Sequence, residues 1–452
     1  DLNICVKKGH DLKLAGNPAK TMETIKVGSL IKLHPSDFPG VKPKLLVKIG
    51  DALKKGQAVF TDKNNIDVLF ATPAAGSVED IQFGERRRIE SITIRVDGNA
   101  GEMSFDQYTL GKISELDSTI VTDILCKSGL WQTLRRRPFS KIAIPHSPPK
   151  SIFISTMSTA PFAADLEVVL DKIPKDNIQA GINILQLLTA GSVNLVSPKK
   201  VINSKLSELK NVQQHTYSGP HPAGNVGIHV SQIDPIKNKD DSIWYISIQD
   251  VGLIGNLFLT GKQNYRKIIT VAGSSIADRM HYSVNRGTLI SDILFKNKVE
   301  KDSRIISGDV LSGSISNMDN AIGYYHESIT VIPNVANRVF MGWIAPGFTK
   351  YSLSNTFMSK ILPRKEQVLT TSMNGSKRSI LPIGNIEKVM PLNILPTMLV
   401  KSIIANDIET MEQLGIYECD PEDFALCSFS DASKMDITGI IQDGLNLAEV
   451  EG

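Results

Sequence analysis

Residues 41–60 read VKPKLLVKIGDALKKGQAVF, and this stretch decides the fold of the N-terminal region. Leu45, Val47 and Ile49 alternate with lysines, which is the period of a strand that buries one face. Two turns that contain glycine follow within the same stretch. Short strands separated by turns at this density predict a small β-sandwich.

The residues that follow repeat this pattern. Pro73 and Gly76 punctuate the stretch ATPAAGSVEDI, and Ile92, Ile94 and Val96 alternate with polar residues in the last strand. The arrangement resembles the biotinyl/lipoyl barrel-sandwich domain. That resemblance implies a compact β domain at the start of the chain.

Lys63 raises an alternative function for this domain. In the lipoyl family the carrier lysine sits in a hairpin tip that reads Asp-Lys, and Asp62-Lys63 stands near that place. A carrier lysine needs a tight turn with the lysine at its apex. We expect residues 64–67 to extend the tip, which favours a sandwich without a swinging arm. A lipoyl or biotinyl carrier stays the alternative.

Composition limits the classes of function. A length of 452 residues suggests roughly three domains at about 100–200 residues each. The formal net charge is only +3, so no nucleic-acid partner is expected. Arginine triplets at residues 86–88 and 135–137 are the sharp basic clusters. We interpret both as solvated surface, with an acidic partner or phospholipid headgroups as the alternative.

The sequence predicts no membrane span and no signal peptide. Spanning a bilayer takes about 20 mostly apolar residues, whereas the best candidate, residues 251–259, is half that length. The first residues lack an apolar core segment. Four widely spaced cysteines suit a reducing cytoplasm. We therefore expect any membrane association to go through other proteins.

A helix and a strand are predicted near the middle of the chain. Asp176 is expected to cap a helix that continues to Leu188, and Gly191 is the expected stop signal after it. Residues 193–196 are expected to form the next strand. Residues 151–155 and 244–248 also have the composition of strands. Strands that alternate with helices predict an α/β layer with a mainly parallel sheet.

This α/β layer lacks the fingerprints of nucleotide binding. A dinucleotide site needs G-x-G-x-x-G after a strand, because only glycine lets backbone amides approach phosphate closely. That motif and the P-loop spacing are both absent from the sequence. The most distinctive loop is SGPHPAGNVG at residues 218–227, which includes His221. We interpret it as a rigid connecting loop, with contact to a partner or a quinone headgroup as the alternative.

The last part of the chain combines a β module with helices. Residues 282–313 resemble a β-grasp module of the soluble-ligand-binding type, which we interpret as a scaffold rather than a ligand site. A helix is predicted from Leu395 to Leu414, with a stop at Gly415. Asp420 is predicted to cap a further helix.

Four long stretches carry a family resemblance over nearly the whole chain. They are SGPHPAGNVGIHV, VIPNVANRVFMGWIAPGF, GSKRSILPIGNIEKVMPLNILPT and PEDFALCSF. In this order they resemble the A-subunit family of the sodium-translocating NADH:quinone oxidoreductase. That family is related to the C subunit of the Rnf electron-transport complex and to the flavin-binding subunit of respiratory complex I.

The resemblance implies that a flavin site has been lost. The relatives hold flavin with a glycine-rich loop, and residues 128–138 are the corresponding stretch. Gly129 remains, while Leu130, Trp131 and Leu134 would fill the space of the cofactor. The relatives also ligate iron–sulfur clusters through C-x-x-C-x-x-C runs, which are absent here. We expect no cofactor on this chain.

The resemblance also implies the partners and the location. Family members act with the membrane subunits B to F, which carry FAD, FMN, riboflavin and an iron–sulfur centre. The complex reduces ubiquinone with NADH and exports sodium at the bacterial inner membrane. A peripheral position on the cytoplasmic face is implied for this chain. An Rnf-type subunit that binds flavin or an iron–sulfur cluster stays the alternative.

Candidate site residues are limited to contacts. No catalytic residue and no metal site is predicted, because the spacing of the histidines in residues 215–229 matches no usual zinc motif. Contact with ubiquinone or a partner is the hypothesis for a small set of residues, since a quinone needs an apolar slot with a hydrogen-bond donor for each carbonyl. That set is Gly219, His221, Gly224, Trp343 and Phe348.

Together these observations predict a multidomain α/β (α+β) fold. The expected parts are a barrel-sandwich hybrid domain at 1–100, a Rossmann-like α/β domain without the nucleotide fingerprint at 101–260, a β-grasp module with linker strands at 261–375, and a helical C-terminal domain at 376–452.

Overall fold

A computed structural model describes residues 2–200, 204–335 and 366–452, with residues 340–342, 344–348, 350–351, 353 and 357–361 between them. The strands are β1 (Asn3–Cys5), β2 (Ala19–Thr24), β3 (Leu30–Leu33), β4 (Pro43–Leu45), β5 (Ala52–Leu53), β6 (Ala58–Asp62), β7 (Asn65–Ala71), β8 (Gly76–Phe83), β9 (Ile89–Val96), β10 (Arg135–Arg137), β11 (Lys141–Ile142), β12 (Ser151–Ser155), β13 (Val193–Pro198), β14 (Gln213–Ser218), β15 (Ile243–Ser247), β16 (Arg266–Ala272), β17 (Met280–Asn285), β18 (Ser303–Ser307), β19 (Ser314–Ser316) and β20 (Ser328–Pro333). The α-helices are α1 (Leu110–Ile113), α2 (Ser118–Ser128), α3 (Leu166–Asp171), α4 (Lys175–Leu187), α5 (Ser204–Ser207), α6 (Val226–Ile233), α7 (Ile248–Thr260), α8 (Ile290–Ile293), α9 (Asn385–Val389), α10 (Pro396–Ile404), α11 (Ile408–Gln413), α12 (Ala425–Ser430) and α13 (Ile437–Glu451).

The predicted β-sandwich is confirmed. A four-stranded sheet in the order β3-β9-β8-β5 faces a three-stranded sheet in the order β4-β6-β7. Ile92 and Ile94 of β9 are fully buried, as the alternation predicts. Phe60 and Phe70 stack with ring centroids 4.3 Å apart. Apolar side chains from both sheets therefore form one core between them.

The hairpin tip at Lys63 is tighter than we expected. Asp62 pairs with Asn65, so Lys63 and Asn64 form a two-residue turn in which Lys63 is exposed. The Asp62 carboxylate accepts a hydrogen bond of 3.1 Å from the backbone N–H of Asn64, which closes the turn. The expectation that residues 64–67 extend this tip is wrong. The shape of the turn is compatible with a carrier lysine.

The middle of the chain forms the predicted α/β layer. Its seven-stranded sheet has the order β1-β14-β13-β12-β15-β10-β11, and the neighbours from β14 to β15 are parallel. Helices α4 and α7 pack against each other beside the sheet. Gly255 of α7 permits this contact, because a Cβ there would lie 1.8 Å from the carbonyl oxygen of Asn177.

The boundaries of α4 differ from the prediction. The helix begins after Pro174, so Asp176 lies inside its first turn and does not cap it. It ends at Leu187, four residues before Gly191. Gly191 lies against the backbone instead, since a Cβ there would be 1.9 Å from the carbonyl oxygen of Lys150. Both expected helix signals were wrong, although Ile182 and Leu185 are buried as predicted.

The first 24 residues pair with two distant sheets. Strand β1 is parallel to β14 at the edge of the α/β sheet. Strand β2 is parallel to β17 at the edge of the β-grasp sheet, whose order is β19-β18-β20-β16-β17-β2. The start of the chain therefore ties these two sheets together. The division at residues 100, 260 and 375 stays a prediction.

The C-terminal region is helical, with one correction. The single helix predicted from Leu395 to Leu414 is two helices, α10 and α11, which are separated at Asn406 by a left-handed backbone (φ 54°). Gly415 follows α11 with φ 87°, as a stop signal requires. Asp420 accepts a hydrogen bond from the backbone N–H of Glu422, so its capping role is confirmed. In the described part of the chain, no helix has the length and apolar character to cross a membrane.

The second arginine triplet is not solvated surface, which corrects our interpretation. The side chain of Arg137 is 1% exposed and is paired with Asp423 at 2.9 Å and with Glu422 at 2.6 Å. Asp423 is itself fully buried. Arg137 lies in β10, whereas both carboxylates lie in the helical region, so the ion pairs join these two parts of the fold. The first triplet, residues 86–88, is exposed.

We predict that Arg137→Met lowers the free energy of unfolding by about 3–5 kcal/mol, because it leaves buried Asp423 without its cation. Urea titration of the purified chain measures this loss. The control is Lys127→Met, whose partner Asp123 lies 3.4 Å away on the surface, and its loss should stay below about 0.5 kcal/mol. Equal losses in both variants would show that the Arg137 pairs do not hold the domains together.

His229 is a buried neutral group in α6. Its Nε2–H donates to the carbonyl oxygen of Ala223 at 2.9 Å, and its ring centroid lies 4.5 Å from that of Tyr217. Burial lowers the pKa of His229 from 6.5 to about 4. Between these two values the unfolded chain binds a proton that the folded chain does not. His229 therefore destabilises the fold progressively as the pH falls from about 6.5 to 4.

We predict that His229→Gln makes the free energy of unfolding less dependent on pH between 6.5 and 4. Part of the slope remains, because other groups with shifted pKa values contribute to it, such as His326, whose pKa burial also lowers to about 4. The measurement is a series of urea titrations over this pH range. His146→Gln, at an exposed position, serves as control. An unchanged slope in the His229 variant would contradict the assignment.

Candidate functional site

A cavity of about 610 Å³ lies at the carboxyl ends of the central parallel strands. Ser155, the last residue of β12, and Ser247, the last residue of β15, both line it. The β-grasp module and the helical region supply the opposite walls, for example through His326 and Glu422. Ligands of open α/β sheets bind at this edge, so the fold itself favours the cavity as a site.

Arg135 presents an unpaired guanidinium group to this cavity. Its central carbon lies 4.7 Å from the ring centroid of Tyr245 and 4.4 Å from that of Tyr325, so the group is held between two aromatic rings. One N–H donates to the Tyr245 hydroxyl, while the buried Nε has no hydrogen-bond partner. In the described residues, Arg136, Arg137 and Arg286 have carboxylate partners, and Arg135 has none.

The other charged groups of the cavity are held by the protein. Arg286 is paired with Asp250 at 2.6 Å, and Lys267 donates to three backbone carbonyls at 2.6–3.0 Å. Burial lowers the pKa of Lys267 to about 7. Burial, with the nearby charge of Asp250, raises the pKa of Glu327 to about 7. Burial therefore disfavours the charged forms of Lys267 and Glu327.

The structure brings some of the predicted contact residues together. His221 and Gly224 line the cavity, whereas Gly219 packs against Val6 outside its lining. The Nδ1 atom of buried His221 lies 3.1 Å from the hydroxyl of Thr159, and burial lowers the pKa of its ring. Phe348 is 51% exposed on the surface, away from the cavity lining. Trp343 lies outside the described residues.

The stretch that corresponds to the flavin loop is packed with side chains. Leu130, Trp131 and Leu134 are completely buried. The indole N–H of Trp131 donates to the carbonyl oxygen of Ala143 at 2.7 Å, and its ring lies edge-on to that of Trp244. These side chains belong to the hydrophobic core. The space that remains open lies beyond them, where Thr133 and Arg135 line the cavity.

The histidines that we weighed as metal ligands have separate partners. His215 contacts Asn194, His221 contacts Thr159, and His229 contacts a carbonyl oxygen. Among the residues that the structure describes, no group of three or more His, Cys, Asp or Glu side chains is placed to hold a metal ion.

Sequence reasoning missed the charged residues of the cavity. Arg135 lies in β10, Lys267 lies in β16 and Arg286 directly follows β17, so the three residues share no motif. One feature of the sequence could have indicated these residues. Arg135 and Lys267 stand within stretches that also supply buried strand residues. A charged side chain inside an apolar strand indicates a paired or functional group.

Comparison with known proteins identifies the family. Three family profiles match the chain: "NqrA N-terminal barrel-sandwich hybrid domain" at residues 4–97, "NqrA second alpha/beta domain" at residues 116–263 and "NQRA C-terminal domain" at residues 268–317. These matches agree with the sandwich, the α/β layer and the β-grasp module.

Full-length relatives carry one name. The A subunit of the Na(+)-translocating NADH-quinone reductase of Marinomonas sp. is 40% identical over 99% of this chain and 99% of its own length. The proteins of the same name from Tolumonas auensis and Neisseria meningitidis are 36% identical over 99% of this chain and 100% of their own lengths. The chain therefore belongs to the A-subunit family (NqrA) of the Na(+)-translocating NADH-quinone reductase.

Proposed function

We propose that this chain is a peripheral subunit without a redox cofactor, which docks on the membrane subunits B to F of the sodium-pumping complex. The proposed location is the cytoplasmic face of the bacterial inner membrane. FAD, FMN, riboflavin and the iron–sulfur centre are assigned to the other subunits. In this proposal the chain transfers no electrons. It supports the reduction of ubiquinone only through its place in the complex.

One observation carries the docking proposal. Of the 25 large hydrophobic side chains that are exposed in the described residues, 13 lie between residues 335 and 398. We call residues 335–398 the apolar segment. Phe340 is 90% exposed, and Ile344 is 55% exposed. Large exposed apolar patches mark surfaces that another protein covers.

The apolar segment is attached to the body of the protein at several points. The backbone of Gln367 exchanges hydrogen bonds with the residues around Leu14, and the backbone N–H of Leu381 donates to the hydroxyl of Ser433. The ring of Tyr351 contacts His10 and Phe429. A surface that is anchored in this way can transmit a docking contact to the rest of the chain.

We predict that Phe340→Ser combined with Ile344→Ser abolishes capture of the membrane subunits by an affinity-tagged chain, because the variant loses apolar contact area. The measurement is co-purification from detergent-solubilised inner membranes. The matched control is Phe295→Ser combined with Ile315→Ser, which removes equally exposed side chains outside the apolar segment. Undiminished capture by the first variant would contradict docking through this segment.

The packing of Leu130, Trp131 and Leu134 supports the absence of flavin from this chain. These three side chains are completely buried and fill the space beside their own backbone, so an open cavity remains only farther along the stretch, at Thr133 and Arg135. The absorption spectrum and the intact mass of the same purified chain test the alternatives. A stoichiometric visible chromophore would favour the Rnf-type subunit. A fixed adduct on Lys63 would favour the carrier.

Ubiquinone contact is a second candidate function. It is favoured by the position of His221 and Gly224 in the wall of a cavity that also exposes tyrosine side chains. An azido-ubiquinone analogue should label the peptide that contains His221 in the intact complex, and unlabelled ubiquinone should compete with it. Label that is confined to the other subunits would remove this candidate.

A further inference from the structure

We propose that the cavity binds a small organic anion, whose phosphate or carboxylate group is held by Arg135. This inference goes beyond the proposed function, because docking through the apolar segment does not require the cavity to be occupied. The site lies among described residues of the α/β layer, the β-grasp module and the helical region.

The unpaired guanidinium group is the first reason for expecting an anion. Arg135 makes one hydrogen bond, to the Tyr245 hydroxyl, although a guanidinium group offers five N–H donors. The rings of Tyr245 and Tyr325 pack against the group, with centroids 4.7 and 4.4 Å from its central carbon. A buried or half-buried cation is normally paired. The charges of Glu422 and Asp420 act on Arg135, but among the described residues neither forms an ion pair with it. Most of its N–H donors therefore remain open to a ligand.

The acidic residues around the cavity have partners of their own. Asp250 is paired with Arg286, and Glu422 is paired with Arg137. Asp309 accepts hydrogen bonds from the backbone of the turn that follows it, at 2.7 and 3.0 Å, and Asp420 caps the residues that follow it.

The two remaining carboxylates are also occupied. Asp37 accepts the backbone N–H of Tyr324 at 3.0 Å, and Glu327 accepts from the Gln249 amide at 3.2 Å. Burial raises the pKa of the Asp37 carboxyl group, and it raises that of Glu327 to about 7. Each of the six carboxyl groups thus has another hydrogen-bond or ion-pair partner, and the negative charges of Glu422 and Asp420 reach Arg135 without a direct ion pair.

Further donors surround the cavity. Helices α6 and α7 both begin at its wall, where Val226 and Ile248 line it, and helix N-termini carry partial positive charge. His221 is 5% exposed and lies in the cavity wall, with its Nδ1 atom 3.1 Å from the hydroxyl of Thr159. An oxyanion could therefore accept hydrogen bonds from several directions. The tyrosine rings offer surface for an aromatic or otherwise planar body.

Binding of phenyl phosphate to the purified full chain tests the proposal, with phenol as the neutral probe of the same ring. Isothermal titration should show saturable binding of phenyl phosphate and much weaker binding of phenol. Arg135→Gln should weaken the binding of phenyl phosphate at least tenfold, because a charge-assisted hydrogen bond is lost. Arg88→Gln, at an exposed position in the sandwich, should leave it unchanged.

A second variant tests the same site without changing Arg135, so that loss of binding can be told apart from misfolding. Ser158→Trp places a bulky ring at an exposed residue of the cavity lining and leaves Arg135 intact, so it should also weaken binding. Circular dichroism confirms that each variant is folded. Equal binding of phenol and phenyl phosphate, no saturable binding, or unchanged binding in folded Arg135→Gln would overturn the proposal. Capture of the membrane subunits is measured separately, so failure here leaves the docking proposal standing.

Discussion

The burial of strand β10 is the constraint on which the rest of the structure depends. Three consecutive arginines form the strand next to the edge of the central sheet, where Arg137 is buried and Arg135 and Arg136 are half-buried. A guanidinium group that is removed from water needs a partner. Arg137 finds two carboxylates of the helical region, Arg136 lies 3.8 Å from Glu449, and Arg135 lies between two tyrosines. The contacts of Arg137 and Arg136 hold the helical region against the sheet. Arg135 gives the cavity its positive charge.

The part of the fold that local patterns control could be predicted from the sequence. Alternation in the N-terminal region identified the sandwich, because a strand with one buried face imposes a period of two. The helical period identified the buried face of α4, including Ile182 and Leu185. Boundaries were less accurate, because Asp176 and Gly191 have the composition of helix signals but are placed by tertiary contacts. The break at Asn406 depends on a left-handed residue whose conformation no period reveals.

The candidate site could be predicted only in part. The unusual loop that contains His221 and Gly224 was visible, because glycines and prolines at that density constrain a backbone. The partners of this loop were not visible, since Arg135, Lys267 and His326 come from distant elements and meet only after three domains have packed. The arginine triplet was misread as surface for the same reason. The carboxylates that neutralise it lie almost 300 residues away in the sequence.

The pairing of β1 and β2 has a consequence for biosynthesis. These strands leave the ribosome well before their partners β14 and β17, which are made only about 200 and 260 residues later. Until then, the leading residues remain without the neighbours that satisfy their backbone groups. The sandwich can form early, whereas the α/β sheet is complete only after β15 has been made and the β-grasp sheet only after β20. Nascent chains of this protein should therefore expose open sheet edges for a long interval, and such edges are the surfaces that chaperones protect from aggregation.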